Sequence, residues 1–455
     1  VARCLALAQA WVHRGGEATL VTRALPDPWT DRYRRAGVDV VGPDAAVAAD
    51  WWVVDGYDLD AEGRPAGAHL ARIDDHGLSP ADGAAVVVDQ NLGATATPYA
   101  GRDADLLLGT RYALLRRELT EVAPVARGRE RRRAAGPPTP VVVAMGGAPD
   151  DAVRAWFHRV VALLGPDGPL DVDVLGGGAD PVPAYLAAGL ALATAGSTVW
   201  ELALFGVPAL LVAAAPNQEP LGEAVAARGA ARYLGRIEDL DPVAVAAQVR
   251  SLAVDIAARD ALGDAAAELV DGRGAARVAT RLRADLLTLR PAGPDDVGTV
   301  HELNDEPIAR AASRTTDPIP WSDHEAWFAA RLTDPGSHLY LAHDGGGALV
   351  GLVRFQVDLA AGAAEIGVVV APERRGRGWG GSLVDAGVRR LWADHAGAAG
   401  GAGGAGSVGV RVEAHVRADN RPSSEAFLDA DFEVGPNEAP GWLRYARHHV
   451  PRVDG

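Results

Sequence analysis

Glycine and arginine alternate in the segment PERRGRGWGG, Pro372 to Gly381, and that spacing suits a polyphosphate. Gly376, Gly378, Gly380 and Gly381 remove the side chains that would hold a pyrophosphate away from the backbone, while Arg375 and Arg377 add positive charge. A helix expected to start near Ser382 would aim unpaired N–H groups and its positive dipole end at the same spot. Charge-assisted hydrogen bonds are worth roughly 1.5–3 kcal/mol each. Three or four of them would supply most of a micromolar affinity, about 8 kcal/mol. The spacing is not the dinucleotide fingerprint G-x-G-x-x-G, and the chain has no lysine to complete a P-loop. The plain alternative is a glycine-rich surface turn.

A second set of small residues could admit a phosphate. Gly146-Gly147 follows the apolar run VVVAM, and Gly196-Ser197-Thr198 opens a helical stretch with Glu201 one turn on and Asn217-Gln218 further along. The structural alternative makes Ser197 or Thr198 an N-cap and Glu201 its capping-box partner.

The elements that must position these residues follow from periodicity. Ile366 to Val370 reads as a buried strand ended by Pro372, which has no N–H for a ladder. SHLYLAHDGGGALVGLVRFQVD, from Ser337, reads as a hairpin turning at Gly345 to Gly347. Near the start, Arg3 to Arg14 has helical periodicity, and short strands are expected at Glu17–Thr22, Asp50–Val54, His69–Ile73 and Ala85–Val88. Asp55, Asp74-Asp75 and Asp89 end these strands, where an open parallel sheet binds ligands. Their separations fit no metal box, so no metal is expected, and Asp74-Asp75-His76 is read as turn and capping chemistry.

At 455 residues the chain exceeds a single core. The expected domains are 1–124, a linker at 125–140 built on PVARGRERRRAAGPPTP, 141–288, and 289–455. AGAAGGAGGAGS, from Ala396 to Ser407, reads as a loop insertion. A net charge of -16 disfavours nucleic-acid and anionic-membrane partners. The single cysteine, Cys4, excludes an intrachain disulfide framework and, with no apolar run long enough for a membrane span and no signal peptide, suits a cytoplasmic location.

The spacing Arg375-x-x-Gly378-x-Gly380 resembles the acyl-CoA pyrophosphate loop of the GNAT N-acetyltransferases. LRPAGPDDVGTVHELND from Leu289, the hairpin, and VGVRVEAHVRADNRPSSEAFLDADFEV from Val408 resemble that family's remaining blocks, about residues 289 to 449 in all. The resemblance implies acetyl-CoA as co-substrate, with the backbone of Val368 to Val370 pairing with the pantetheine arm and Asn420 near the cofactor. An amine then attacks the thioester directly. Glu365, Glu413 and His415 are the candidate bases. Seven residues after Asn420, where the family often has a tyrosine that protonates the thiolate, stands Phe427, and Asp431 replaces a usual glycine, so the bend before Phe432 is expected to differ.

RCLALAQAW, WWVVDGYDLD, RIDDHG, VVVDQNLGA, LLLGTRYALLRREL, VVVAMGGAPDD and LATAGSTVWELALFGVPALLVAAAPNQ resemble successive blocks of the UDP-sugar hydrolase of pseudaminic acid biosynthesis, which acts on UDP-2,4-diacetamido-2,4,6-trideoxy-β-L-altropyranose and is similar in fold to GT-B glycosyltransferases. The resemblance spans about residues 1 to 285. It implies an α/β chain of two Rossmann-like lobes followed by a GNAT domain. UDP would be held by Gly146, Gly147, Ser197, Thr198, Glu201, Asn217 and Gln218, with Tyr57 orienting the water or sugar and no metal. The family's first strand and its G-x-G-H histidine lie ahead of the RCLALA helix, so both are expected to be missing from a sequence starting at Val1. A further strand and helix are expected to be absent between Asp180 and Leu190. The combined reading is a bifunctional sugar-nucleotide enzyme, whose acetyltransferase would make the diacetamido sugar that the hydrolase consumes. Two alternatives stay open: an acetyltransferase with a non-hydrolytic UDP-sugar-binding domain, and a sensor of both ligands.

Overall fold

The computed structural model describes residues 1–56, 59–123, 139–146, 149–165, 170–176, 180–399, 410–436 and 439–449. Tyr57, Gly147, most of the 125–140 linker and the Gly-rich segment from 400 onward therefore lie outside the described residues. The chain is a mixed α/β protein that divides into two compact units, one of Val1–Ala10 with Glu17–Ala275 and one of Trp11–Gly16 with Ala276–Gly455. Among the described residues no helix is long and apolar enough to cross a membrane.

In chain order the first unit contains α1 (Ala2–His13) as far as Ala10, β1 (Ala18–Val21), α2 (Asp27–Arg35), β2 (Val38–Val41), β3 (Trp51–Asp55), β4 (His69–Asp74), β5 (Val86–Asp89), β6 (Asp105–Leu108) and α3 (Arg117–Thr120). There follow β7 (Thr139–Ala144), α4 (Asp151–Leu164), β8 (Leu170–Leu175), α5 (Val182–Ala187), β9 (Leu190–Thr194), α6 (Thr198–Leu204), β10 (Ala209–Ala213), α7 (Glu219–Ala227), β11 (Arg232–Arg236), α8 (Pro242–Val254) and α9 (Ile256–Ala267). The expected early strands are all present, but they form two separate parallel sheets, β1-β2 and β3-β4-β5-β6. Between Asp180 and Leu190 the chain makes only the short helix α5.

β7 to β11 form an all-parallel sheet in the order β8-β7-β9-β10-β11. Alternation along its strands explains why both faces are covered. Val142, Ala144, Ala191, Ala193 and Leu211 pack with Trp200 and Phe205 on one side. Val141, Val143, Leu190, Leu192 and Leu210 pack with Trp156 and Phe157 on the other.

The second unit carries β12 (Thr288–Pro291), α11 (Val297–Asp305), α12 (Pro307–Ala311), α13 (Trp321–Thr333), β13 (Ser337–His343), β14 (Leu349–Asp358), β15 (Ala363–Val370), α14 (Trp379–Ala399), β16 (Arg411–Arg417), α15 (Arg421–Asp429), β17 (Glu433–Val434) and β18 (Trp442–Arg447), after α10 (Gly274–Ala284). Its sheet runs β12-β13-β14-β15-β16-β18-β17, antiparallel except where β15 meets β16. Val353, Phe355, Ile366, Val412 and Ala414 build the core under α14 and α15. Leu339, Leu341 and Leu352 face α11 and α13.

Asp431 corrects one expectation, because the bend there is the one a glycine would make. Its φ is 69°, and Phe432 N–H donates to Phe427 O (3.0 Å) while Asp431 N–H donates to Leu428 O (3.3 Å), closing α15 in a Schellman motif. The T-shaped Phe427–Phe432 pair, ring centroids 5.1 Å apart, is its hydrophobic clasp. Aspartate tolerates the left-handed region better than most side chains, which is why the substitution is accepted.

Candidate functional sites

At the carboxyl end of the β3–β6 sheet the carboxylates are spent internally. Arg3 bridges Asp55 (2.7 Å) and Asp75 (3.0 Å), and Asp89 accepts from His76 N–H (2.9 Å) and the Tyr99 hydroxyl (2.9 Å). Asp74 accepts from Ser79 Oγ at 2.7 Å. Cys4 donates to Asp55 at 3.3 Å, and burial pushes its thiol up to about 12, so it is not a nucleophile.

In the β7–β11 sheet, chain order reverses direction between β7 and β9, the point where open α/β sheets bind ligands. Gly146 lies there: a Cβ on it would sit 3.3 Å from Thr194 Oγ1. A Cβ on Gly196 would be 3.9 Å from Gln218 Nε2, so Gly146, Thr194, Gly196 and Gln218 share one rim. Asn217 is exposed in the short turn Pro216–Gln218, and the Gln218 carbonyl is tied to Ala214 N–H at 2.9 Å. Ser197 precedes α6 without capping it, and Thr198 is the first helical residue. The N-cap alternative for Ser197 is thus set aside.

Both oxygens of Glu201 already have a partner within the protein: Oε1 accepts from Arg116 (3.1 Å) and Oε2 from the Tyr185 hydroxyl (2.9 Å). Burial, with Glu201 beside it, drives the Tyr185 hydroxyl well above its usual range. Replacing Glu201 with alanine should lower stability by about 1–3 kcal/mol, because the buried Arg116 and Tyr185 lose a shared acceptor. Chemical denaturation reads this directly. A loss of UDP affinity at unchanged stability would contradict it.

In the second unit the loop after β15 forms a short 3₁₀ turn (Pro372–Arg374), then takes left-handed backbone at Gly376 (φ 71°) and Gly378 (φ 70°). The helix begins at Trp379 rather than near Ser382, which corrects the position of two glycines. Gly380 and Gly381 belong to its first turn, where N–H groups have no intrahelical carbonyl. They are also small for packing, since a Cβ on Gly380 would be 3.2 Å from Ala426 Cβ on α15.

β15 and β16 pair only from Ala363↔Arg411 to Glu365↔Glu413. Beyond that they diverge, while β15 stays paired with β14 as far as Val370. Ala371 N–H donates to Val350 O (2.9 Å), so alternation turns the backbone groups of Ile366, Val368 and Val370 towards the gap. A strand edge whose N–H groups have no β16 partner thus ends at a glycine-rich loop.

Residues 287–433 match the family model described as acetyltransferase (GNAT) domain. This part of the chain is a GNAT domain. Solved structures that align with it include spermidine N-acetyltransferase from Vibrio cholerae in complex with CoA and spermine, 16% identical over 36% of this chain and 94% of that one, TM-score 0.29. A K23-Q34 chimera of the Vibrio cholerae enzyme with hSSAT aligns at 18% identity over 36% and 95%, TM-score 0.29. No curated protein matches the chain.

Within the GNAT domain the three arginines of the loop have different tasks. Arg374 binds Asp344 (2.8 Å), and Arg375 binds Glu306 (2.6 Å) while its Nε donates to Val370 O (3.2 Å). Arg375 therefore braces the loop through Glu306 and the Val370 carbonyl. Arg377 is exposed, with its guanidinium in no ion pair among the described residues. Asn420 caps α15 by accepting from Ser423 N–H at 3.2 Å, a structural task for a residue expected beside the cofactor.

Glu306 shows how firmly the brace is set. The Arg375 hydrogen bond, with donation from Ala309 and Ile308 N–H, holds its carboxyl at about 2 against an ordinary 4.5. A depressed folded value means the stabilisation is complete above the unfolded value and is lost as pH falls through the folded one. Melting temperature should therefore fall between about pH 4.5 and 2 more steeply in the native protein than in Glu306→Gln, as thermal denaturation across that range would record.

The candidate bases separate clearly. Glu365 is exposed and paired with Arg314 at 3.2 Å. Glu413 is held by Arg444 (2.6 Å) and Arg411, which keep its carboxyl below the usual range despite burial. Val412, Ala414 and Val416 enter the core, so Glu413 and His415 share the opposite face. His415 lies two residues past the last β15–β16 pair, in the mouth of the gap, with no ion pair among the described residues.

Proposed function

We propose that the GNAT domain transfers the acetyl group of acetyl-CoA to the amine of a UDP-amino sugar, and that the first unit binds the UDP-sugar and hydrolyses the diacetamido product to release UDP. The observation that carries the first half is the divergence of β15 from β16 directly before the glycine loop. Exposed amides of Val368 and Val370 would pair with the pantetheine arm, and N–H groups from Gly376 to Gly381 with the pyrophosphate. The thioester then lies beside His415, which would take the proton of the attacking amine. No tyrosine follows at position 427, so the thiolate, with an ordinary pKa of about 8.5, leaves without a proton donor there.

The nucleotide half rests on the rim of Gly146, Thr194, Gly196 and Gln218 at the reversal of the parallel sheet, in a chain resembling Rossmann-like GT-B lobes. Incubating a UDP-4-amino sugar with and without acetyl-CoA, followed by mass spectrometry, tests both steps. Gain of one acetyl group supports transfer, and appearance of UDP with the free sugar supports hydrolysis. Acetylated nucleotide that persists intact would leave a binding-only first unit.

A further inference from the structure

The face of the GNAT domain from which an amine must approach holds a guanidinium, that of Arg354, with no ion pair among the described residues. α14 and α15 cover the other face of the sheet, so the acceptor has to enter beside α11 and α13, on the side of Glu365, Gly367 and His415. Arg354 stands on β14 directly opposite Gly367 in the ladder. The missing side chain makes room for it, since a Cβ on Gly367 would lie 2.6 Å from Arg354 Nε. The guanidinium therefore reaches across β15 one residue before Val368, where the strands are already apart.

Among the described residues, its one side-chain hydrogen bond is to the neutral amide of Asn304, at 3.2 Å, and the Trp327 ring flanks it at 5.9 Å. Burial, reinforced by Arg331 and Arg310 and opposed by Glu365, pulls its affinity for a proton below the ordinary value, although a guanidinium stays charged. The neighbours do not neutralise it. Arg310 is satisfied by Asp317 O (3.0 Å) and by Thr315, Arg314 uses the nearby Glu365, and Arg331 is shared between Gln356 and Asp334. Arginine is rarely desolvated without a carboxylate or phosphate, so an unmatched guanidinium in a cleft points to an anion that arrives with the ligand.

We infer that the acetyl acceptor is an amine that also carries an anionic group, a phosphate or carboxylate, and that Arg354 binds this group across Gly367. This rests on the acetyltransferase reading of the same site and narrows it. A nucleoside diphosphate sugar belongs to the class. A purely cationic amine does not, because it offers nothing to the unmatched Arg354 guanidinium, which would repel it.

The test uses the full chain. Thiol release from acetyl-CoA is measured with glucosamine 6-phosphate, glucosamine and cadaverine, and pyrophosphate is titrated by calorimetry into protein saturated with CoA, which blocks the glycine loop. Glucosamine 6-phosphate should exceed both neutral and cationic amines in kcat/KM. Arg354→Gln should raise its KM roughly 10- to 100-fold, the loss of one charge-assisted hydrogen bond, with kcat little changed. Pyrophosphate binding should be lost in Arg354→Gln and retained in Arg354→Lys, with CoA affinity equal in all three proteins as evidence that each is folded. Preference for cadaverine, or pyrophosphate affinity equal in the Gln variant and the native protein, overturns the inference. Failure of the native protein to bind CoA would instead remove the acetyltransferase reading beneath it.

Discussion

His415→Ala should slow acetyl transfer by about 10²- to 10⁴-fold, the usual contribution of a general base, and leave acetyl-CoA affinity unchanged. The expectation follows from the alternation of β16. With Val412, Ala414 and Val416 buried, the side chains at 413 and 415 must face the gap, and only one of them is available. A carboxylate gripped by two arginines at one oxygen, as Glu413 is at Oε1, is held in its charged form and is a weak base. An imidazole two residues further into the opening keeps a nitrogen for the amine proton. A larger loss in Glu413→Gln than in His415→Ala would move the base to Glu413.

The features legible in the sequence are those set by a few neighbouring residues. The glycine loop, the proline that ends β15 and the alternating strands depend on local backbone chemistry, so spacing alone was enough to find them. The partners of Glu201, Tyr185 and Arg116, stand 16 and 85 positions away, and no local pattern records them. The start of α14 was placed too late for a related reason. Gly380 and Gly381 look like loop residues, yet they are in the helix because α15 packs against their missing side chains. Arg354 carries no local signal: the sign of a cleft site there is an arginine paired with a glycine across a ladder, and the register that pairs them is not written in either strand.

Strand divergence and loop geometry act as one device, which sets the terms of the second large effect. Gly376→Val should weaken CoA binding by about 10²- to 10⁴-fold. A β-branched residue at φ 71° costs about 1–2 kcal/mol, and the loop can escape that cost only by turning its peptide groups. Two N–H donors that swing away remove two charge-assisted bonds, each worth roughly 1.5–3 kcal/mol. The fold should survive, because a Cβ at this position meets nothing within 4 Å and the Arg375–Glu306 brace is anchored separately. Calorimetric titration of CoA, alongside thermal denaturation of the same sample, separates the two effects. Unchanged CoA affinity in a folded valine variant would mean that the pyrophosphate is held elsewhere, and that the unpaired edge of β15 serves another ligand.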